Sequence, residues 1–584
     1  MFMLAFSAPE SAHSAVTDRL QSHLEELARA NTSFRLSTQA HGETTLLFDE
    51  GSPFAEYSKV GEGFSLRGGF RTGGDIGEYA EIELTAAEDG PLLIGKTDPY
   101  ASWPLYYGQS EVGVAISNDP HALAIALRLT KLNASSVFQF VTLQFVVNRC
   151  TTIDGVYRLW QGESVSFTAD EGGRSLEPHV VKDRPGSVFQ GSADVSEEAL
   201  RRQVDRAFGQ LVEALPYYDL ESDDVVSTLS GGLDSRLVLG AMRVSGVEHA
   251  EALTFNLVAG DEGDVAAAVA GRLGYAHTIA DLPEGDIDMI RQAWLLTGGQ
   301  KTVHAAADNL LISRQALGNR SHVRLVTATV GDPLDGTLVP PFSQFLNPHG
   351  VGVCVQYWLR ALTSNVAAEQ GLGKGRVARK NLRMLRRELV TQFKTAQGRT
   401  AAEKMTNWDY TRRGPVFSHV TTSKLSSNVL EMQPALAPGY VNSFYKLRPL
   451  DILQRNFYRK LIWTVLPELR DIPNHNSGQP VSPEYISPVS MSWKLKLLLR
   501  LPIAVHLWVE DKLARRSLQR DAESVPSETL YYQSLIEPLL GQSVELAPGL
   551  TFRQGDMRSS RFQEVNTAAA VLACLWTKDY IATD

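Results

Sequence analysis

At 584 residues the chain is too long for one hydrophobic core, so two or three domains are expected. Its composition, 43% hydrophobic and 21% charged, is that of an ordinary globular protein, and a net charge of −10 argues against a nucleic-acid partner. Three widely spaced cysteines, Cys150, Cys354 and Cys574, argue against a disulfide framework or a zinc site. The N-terminal stretch has no basic flank, and the best apolar run, 497–509, is broken by Arg500 and Pro502. Neither a signal peptide nor a transmembrane segment is expected, and the protein is read as cytoplasmic.

Along the chain, residues 1–180 carry short alternating segments, at 44–48, 80–84 and 112–116, separated by Gly- and Asp-rich turns; these read as strands. Residues 182–195 are poor in apolar groups and read as a linker. A helix is expected from Ser196, with Leu200, Val204, Phe208, Leu211 and Leu215 on one face. From 225 to about 335, strands alternate with helices, the pattern of a parallel sheet covered by helices. Beyond 350 the chain reads as mostly helical. Domain boundaries are therefore placed at 1–185, 196–480 and 481–584.

The most informative stretch is 225–235, Val-Val-Ser-Thr-Leu-Ser-Gly-Gly-Leu-Asp-Ser. An apolar strand turns through Gly231 and Gly232 into a helix, which presents backbone N–H groups at the positive end of the helix dipole, a ready anion site. Ser230 and Ser235 add hydroxyl donors, and Asp234 can hold a magnesium ion on the same phosphates. The bland alternative is a glycine-containing turn with Asp234 as a helix cap. The string resembles the pyrophosphate loop of the N-type ATP pyrophosphatases, which cleave ATP to AMP and pyrophosphate. It is not a Walker loop, because no Gly-Lys-Ser/Thr follows.

Further stretches in the same order narrow the resemblance to the asparagine synthetase family, over most of 60–480. They are 98–107 (Asp-Pro-Tyr-Ala-Ser-Trp-Pro-Leu-Tyr-Tyr), 115–123 and 151–162 in the amidotransferase part, then 253–256, Asp261-Glu262, 268–274 with His277, and 325–336. The fold implied is α/β: an N-terminal Ntn-amidotransferase-like αββα domain, then an adenine nucleotide alpha hydrolase-like ATP pyrophosphatase domain with a helical C-terminal part. Two departures matter. The family's glutaminase uses a cysteine exposed once the initiator Met is removed, with its own α-amino group as base; here that position is Phe2, and no cysteine occurs before Cys150. In the second loop Asp332 and Gly336 match, but Ala328, Thr329 and Pro333 stand where the family has Gly, Glu and Glu.

The resemblance implies these roles. Ser230, Gly231, Gly232 and Ser235 cradle the phosphates of ATP. Asp234 and Asp332 hold Mg2+. Leu229, with Phe255 or Asn256, gives backbone contacts to adenine, and Glu262 lies near the nucleotide. A basic residue beyond 447 stabilises the adenylate, with Lys460 first and Arg459 and Arg455 as alternatives. Each of these three also fits a solvated helix face. The segment 371–404 holds ten Lys/Arg against two Glu, which suits an acidic substrate or a solvated face, and the basic amphipathic stretch 491–518 suits core packing or a membrane surface. The activity implied is ATP-dependent amide-bond formation without glutaminase activity. A small-molecule or peptide carboxylate becomes an acyl-adenylate and an amine attacks it, as in the β-lactam synthetase and lasso-peptide cyclase relatives. Free ammonia, a second molecule's amine and an intramolecular amine all stay open, as does a homodimer. The alternatives are ammonia-using asparagine synthesis, a tRNA-thiolating pyrophosphatase (opposed by the missing cysteine pair and a pI near 5.8) and a nucleotide-binding paralogue without turnover.

Overall fold

The computed structural model describes residues 2–8, 10–31, 33–41, 44–71, 77–87, 90–168, 178–182, 196–220, 224–256, 262–281, 286–328, 334, 350–352, 354–355, 359, 376–417, 427–445, 447, 451, 455–475, 477–484, 543–547, 550–553 and 561–583. Asp332, Gly336 and the stretch 491–518 lie outside them.

The first 182 residues build two antiparallel six-stranded sheets. One runs in the order β10 (Val156–Arg158), β8 (Tyr106–Gln109), β9 (Val114–Ser117), β1 (Met3–Ser7), β3 (Thr44–Asp49), β2 (Leu36–His41). The other runs β12 (His179–Lys182), β11 (Glu163–Thr168), β7 (Gly90–Thr97), β6 (Gly77–Ala87), β5 (Gly63–Arg71), β4 (Ala55–Val60). The two-residue period of β1 shows how they layer. Met3 and Ala5 face the second sheet, in one core with Phe64, Leu66, Ile82 and Leu93. Leu4 and Phe6 face the other way, into a core with helix α1 (Glu10–Ala30) and the short helices α2 (Pro120–Ala126) and α3 (Ala134–Leu143). Phe2 is buried beside them, edge-on to His23 and Phe34. The outer face of the second sheet carries Arg67–Glu56, Arg67–Glu81 and Lys96–Glu83 ion pairs. Among the described residues the expected αββα sandwich therefore shows three layers, α, β and β.

Ser196 caps the next helix, α4 (Glu197–Ala214), by accepting the Ala199 N–H at 3.1 Å. The next part of the chain forms a five-stranded, wholly parallel sheet. Its order is β15 (Ala276–Asp281), β14 (Glu251–Asn256), β13 (Val225–Thr228), β16 (Val323–Val326), β17 (Val429–Met432). Val226, Leu253, Leu325 and Val429 pack on one face with Ala316 of α8 (Val303–Leu317). Val225, Ala252 and Met432 pack on the other with α5 (Asp234–Val244) and α6 (Glu262–Leu273). The chain winds outward from β13 in one direction and then returns to its other side at β16. This reversal leaves a crevice at the C-terminal ends of β13 and β16, where open α/β sheets bind ligands.

Hydrogen bonds join the two parts: Gln433 N–H donates to Glu78 at 2.6 Å, Gln161 to the Tyr410 carbonyl at 2.9 Å, and Asn428 to Ser33 Oγ at 2.9 Å. The helix Arg561–Thr583 turns back into the core shared by α1, α2, α3, α7 (Ile287–Leu296) and α8, with Ala568 to Cys574 buried. Trp294 Nε1 donates to the Ala573 carbonyl at 3.2 Å, and His23 shares a 2.9 Å hydrogen bond with Tyr580. No helix among the described residues is long and apolar enough to cross a membrane.

Candidate active site

Strand β13 gives way to the loop at Leu229. The Leu229 N–H donates to the Leu253 carbonyl at 2.8 Å, and its own carbonyl accepts the Thr254 hydroxyl at 2.7 Å. A second lone pair on that carbonyl is what remains for a ligand. The loop then folds on its two serines. Ser230 N–H donates to Ser235 Oγ at 3.0 Å, the two hydroxyls lie 3.0 Å apart, and Gly232 N–H donates to Ser230 Oγ at 3.2 Å. Helix α5 begins directly afterwards, preceded by Leu233, and no side chain caps it. Its first N–H groups and dipole therefore face the loop, as an anion site requires.

Gly231 sits where no side chain fits: a Cβ there would lie 2.5 Å from the Cβ of His475. The His475 N–H in turn donates to the Gly231 carbonyl at 3.1 Å. That residue belongs to a small hairpin, Pro473–Asn474 against Gln479–Pro480, which covers one side of the loop. Glu262, the first residue of α6, accepts the Gly231 N–H at 3.1 Å. Phe255 and Asn256 end β14, the strand beside β13.

Asp234 lies in the first turn of α5, 3.5 Å from Arg455. Arg455 takes φ 57° and ψ 27°, a left-handed conformation costing on the order of 1 kcal/mol for a residue with a Cβ, and starts the helix Asn456–Val465. The structure places the three basic candidates in different surroundings. Lys460 pairs its ammonium with Glu197 of α4, and Arg459 donates to Asn456 and to the Glu484 carbonyl. Arg455, at the helix start, is brought within 3.5 Å of Asp234 on the loop.

The sequence reading missed Glu431. It lies buried in β17 at the same end of the sheet, and it accepts the Thr327 hydroxyl of the residue after β16 at 3.0 Å. A carboxylate inside the run Val-Leu-Glu-Met was the available signal, since a Glu is seldom fully buried unless it is paired. Lys301, in the turn between α7 and α8, feels the Glu431 carboxylate and the Arg158 guanidinium; burial is the largest influence and lowers its pKa.

The described residues contain no group of three His, Cys, Asp or Glu able to hold a metal. Mg2+ is commonly held by one or two carboxylates plus substrate phosphates, and Asp234 is a hard oxygen donor at the end of the glycine loop, so this donor fits. No curated protein matches the chain. Residues 219–331, which run from the strand before the loop to the end of β16 and just beyond, match the family model described as Asparagine synthase. The segment carrying the loop is thus similar to the asparagine synthase family, whose members are ATP-dependent ligases.

Proposed function

We propose that the protein forms an amide bond by adenylating a carboxylate. The observation that carries this reading is the loop 229–235 itself, an uncapped helix N-terminus with a Gly-Gly approach at the reversal point of a parallel sheet. A carboxylate oxygen attacks the α-phosphorus of ATP, the bond to the α–β bridging oxygen breaks, and pyrophosphate leaves with the electron pair. An amine then attacks the acyl carbon, the bond to AMP oxygen breaks, and the amine proton passes to a base. Ser230, Gly231, Gly232 and Ser235 bind the phosphates, displacing Glu262 from the Gly231 N–H, while Leu229, Phe255 and Asn256 border adenine. Asp234, with Asp332, would hold Mg2+, which supplies charge neutralisation on the departing pyrophosphate. Arg455 adds positive charge beside Asp234, and Glu431 is the base. Positioning and charge stabilisation supply most of the rate.

Phe2 is buried, and no cysteine occurs among residues 1–149 to act as a glutaminase nucleophile, which supports reading this part of the chain as a scaffold. The amine is then one carried by a substrate, which favours a biosynthetic amide or lactam former in the cytoplasm over asparagine supply. The test is exchange of radiolabelled pyrophosphate into ATP with Mg2+ against a panel of carboxylates. Exchange that needs one carboxylate and disappears in Asp234→Ala supports adenylation. Tight ATP binding with no exchange, even in lysate from the native host, would make the chain a nucleotide-binding paralogue.

A further inference from the structure

Arg236 is the only fully buried arginine among the largest buried side chains, and it bonds four backbone carbonyls in two separate segments. Nε and Nη2 donate to the carbonyls of Gly232 and Gly231, each at 3.1 Å. Nη1 and Nη2 donate to those of Ile472 and Pro473, at 3.1 and 2.9 Å. No carboxylate among the described residues pairs with it, and burial alone lowers its pKa, to about 10. Burying a cation without a counter-ion is costly, and an apolar side chain would fill the same space more cheaply. Two consequences explain its presence. With both glycine carbonyls turned back toward the guanidinium, the N–H groups of Gly232 and Leu233, on the opposite sides of the same peptide planes, point the other way, where Gly232 N–H meets Ser230 Oγ. The uncompensated charge also sits directly behind an anion site, where it adds to the helix dipole.

We infer that Arg236 is a positioning residue that joins the glycine loop and the 472–475 segment into one rigid unit and tunes that unit for phosphate. The inference rests on the loop being the site of the ATP phosphates. It assigns to the hairpin bearing His475 a share in phosphate binding, because the Gly231 carbonyl accepts both from Arg236 and from the His475 N–H.

The experiment is calorimetric titration of the full chain, with Mg2+, with ATP, ADP, AMP and adenosine, comparing wild type with Arg236→Met and Arg236→Lys. A missing unit charge several ångströms from phosphate, at an effective dielectric of about 20, weakens ATP by about tenfold or more. The weakening should shrink along the series and be less than about twofold for adenosine. Arg236→Lys, which keeps the charge but has too few donors for four carbonyls, should fall between wild type and Arg236→Met. Equal weakening of all four ligands, or no weakening, overturns the inference. Hydrogen exchange on wild type decides the matter if the variants do not fold: ATP must slow exchange in 472–475 together with 230–235, and protection of the loop alone overturns the coupling. A wild type that prefers ATP no more than adenosine overturns the phosphate site itself and the clamp with it. A wild type that prefers ATP alongside an equally selective Arg236→Met overturns the clamp alone.

Discussion

Replacing Gly231 by Ala tests the close approach between the loop and the hairpin. The new methyl would lie 2.5 Å from His475 Cβ and 3.3 Å from its Cγ. Carbon atoms settle at about 3.5–4.0 Å, so the two segments must part by about 1 Å. The His475 N–H to Gly231 carbonyl bond, 3.1 Å long, opposes that separation. Overpacking of this kind costs about 1–3 kcal/mol, and loss of the hydrogen bond adds about 1 kcal/mol. A total of about 2–4 kcal/mol, taken from ligand binding, weakens ATP by about 30- to 1000-fold. Equilibrium titration with ATP and Mg2+ measures it. Gly246→Ala serves as the control, since Gly246 has φ +88° with nothing within 4 Å; it should cost about 1–2 kcal/mol of stability and leave binding alone. His475→Gly in the Gly231→Ala background should restore part of the affinity by removing the colliding carbon. Wild-type affinity and wild-type unfolding in Gly231→Ala would refute the reasoning.

Asp234→Asn should abolish pyrophosphate exchange while adenosine still binds, which a binding titration alongside the exchange assay reads directly. Arg455→Met should slow exchange by tenfold or more, on the order of one charged contact, whereas Lys460→Met should slow it less, because the Lys460 ammonium is paired with Glu197 of α4; equal effects would favour Lys460 as the cation at the site. Glu431→Gln should keep carboxylate-dependent exchange but lose amide product, and loss of both would remove its assignment as base. Burial raises the Asp98 carboxyl to about 6 from 3.8, against the hydrogen bonds from Trp103, Tyr100 and Ser102. A raised folded pKa means stability is lost as pH rises through about 6 and recovered on acidification. Relative to Asp98→Asn, the wild type should therefore gain roughly 1 kcal/mol between pH 7 and pH 5 in chemical denaturation, and a difference that shrinks on acidification would contradict the sign.

The elements with local causes were legible in the sequence. The run 225–229 and its glycine pair dictate strand, loop and helix within twenty residues, and β3, β6 and β9 follow the alternation at 44–48, 80–84 and 112–116. The five spaced apolar residues after Ser196 run through α4 and into the short helix that follows it. What depends on distant partners was not legible. Arg455, Arg459 and Lys460 are chemically alike, and only the left-handed start of the helix decides which one meets Asp234. Glu431 acquires its setting from Thr327, over a hundred residues earlier. Arg236 reads from sequence as an ordinary helix arginine, since its four acceptors are carbonyls that no residue type announces.

The burial of Arg561–Thr583 bears on how the molecule is made. This helix emerges last among the described elements, yet its alanines and Cys574 complete the core that α1, α2 and α3 begin, and Tyr580 reaches His23 in α1. Closing this core therefore joins α1, α2 and α3 to a segment far downstream of them in the chain. Contacts of such long sequence separation must wait for a large loop to close, so this core is expected to be among the slower parts of the fold to form.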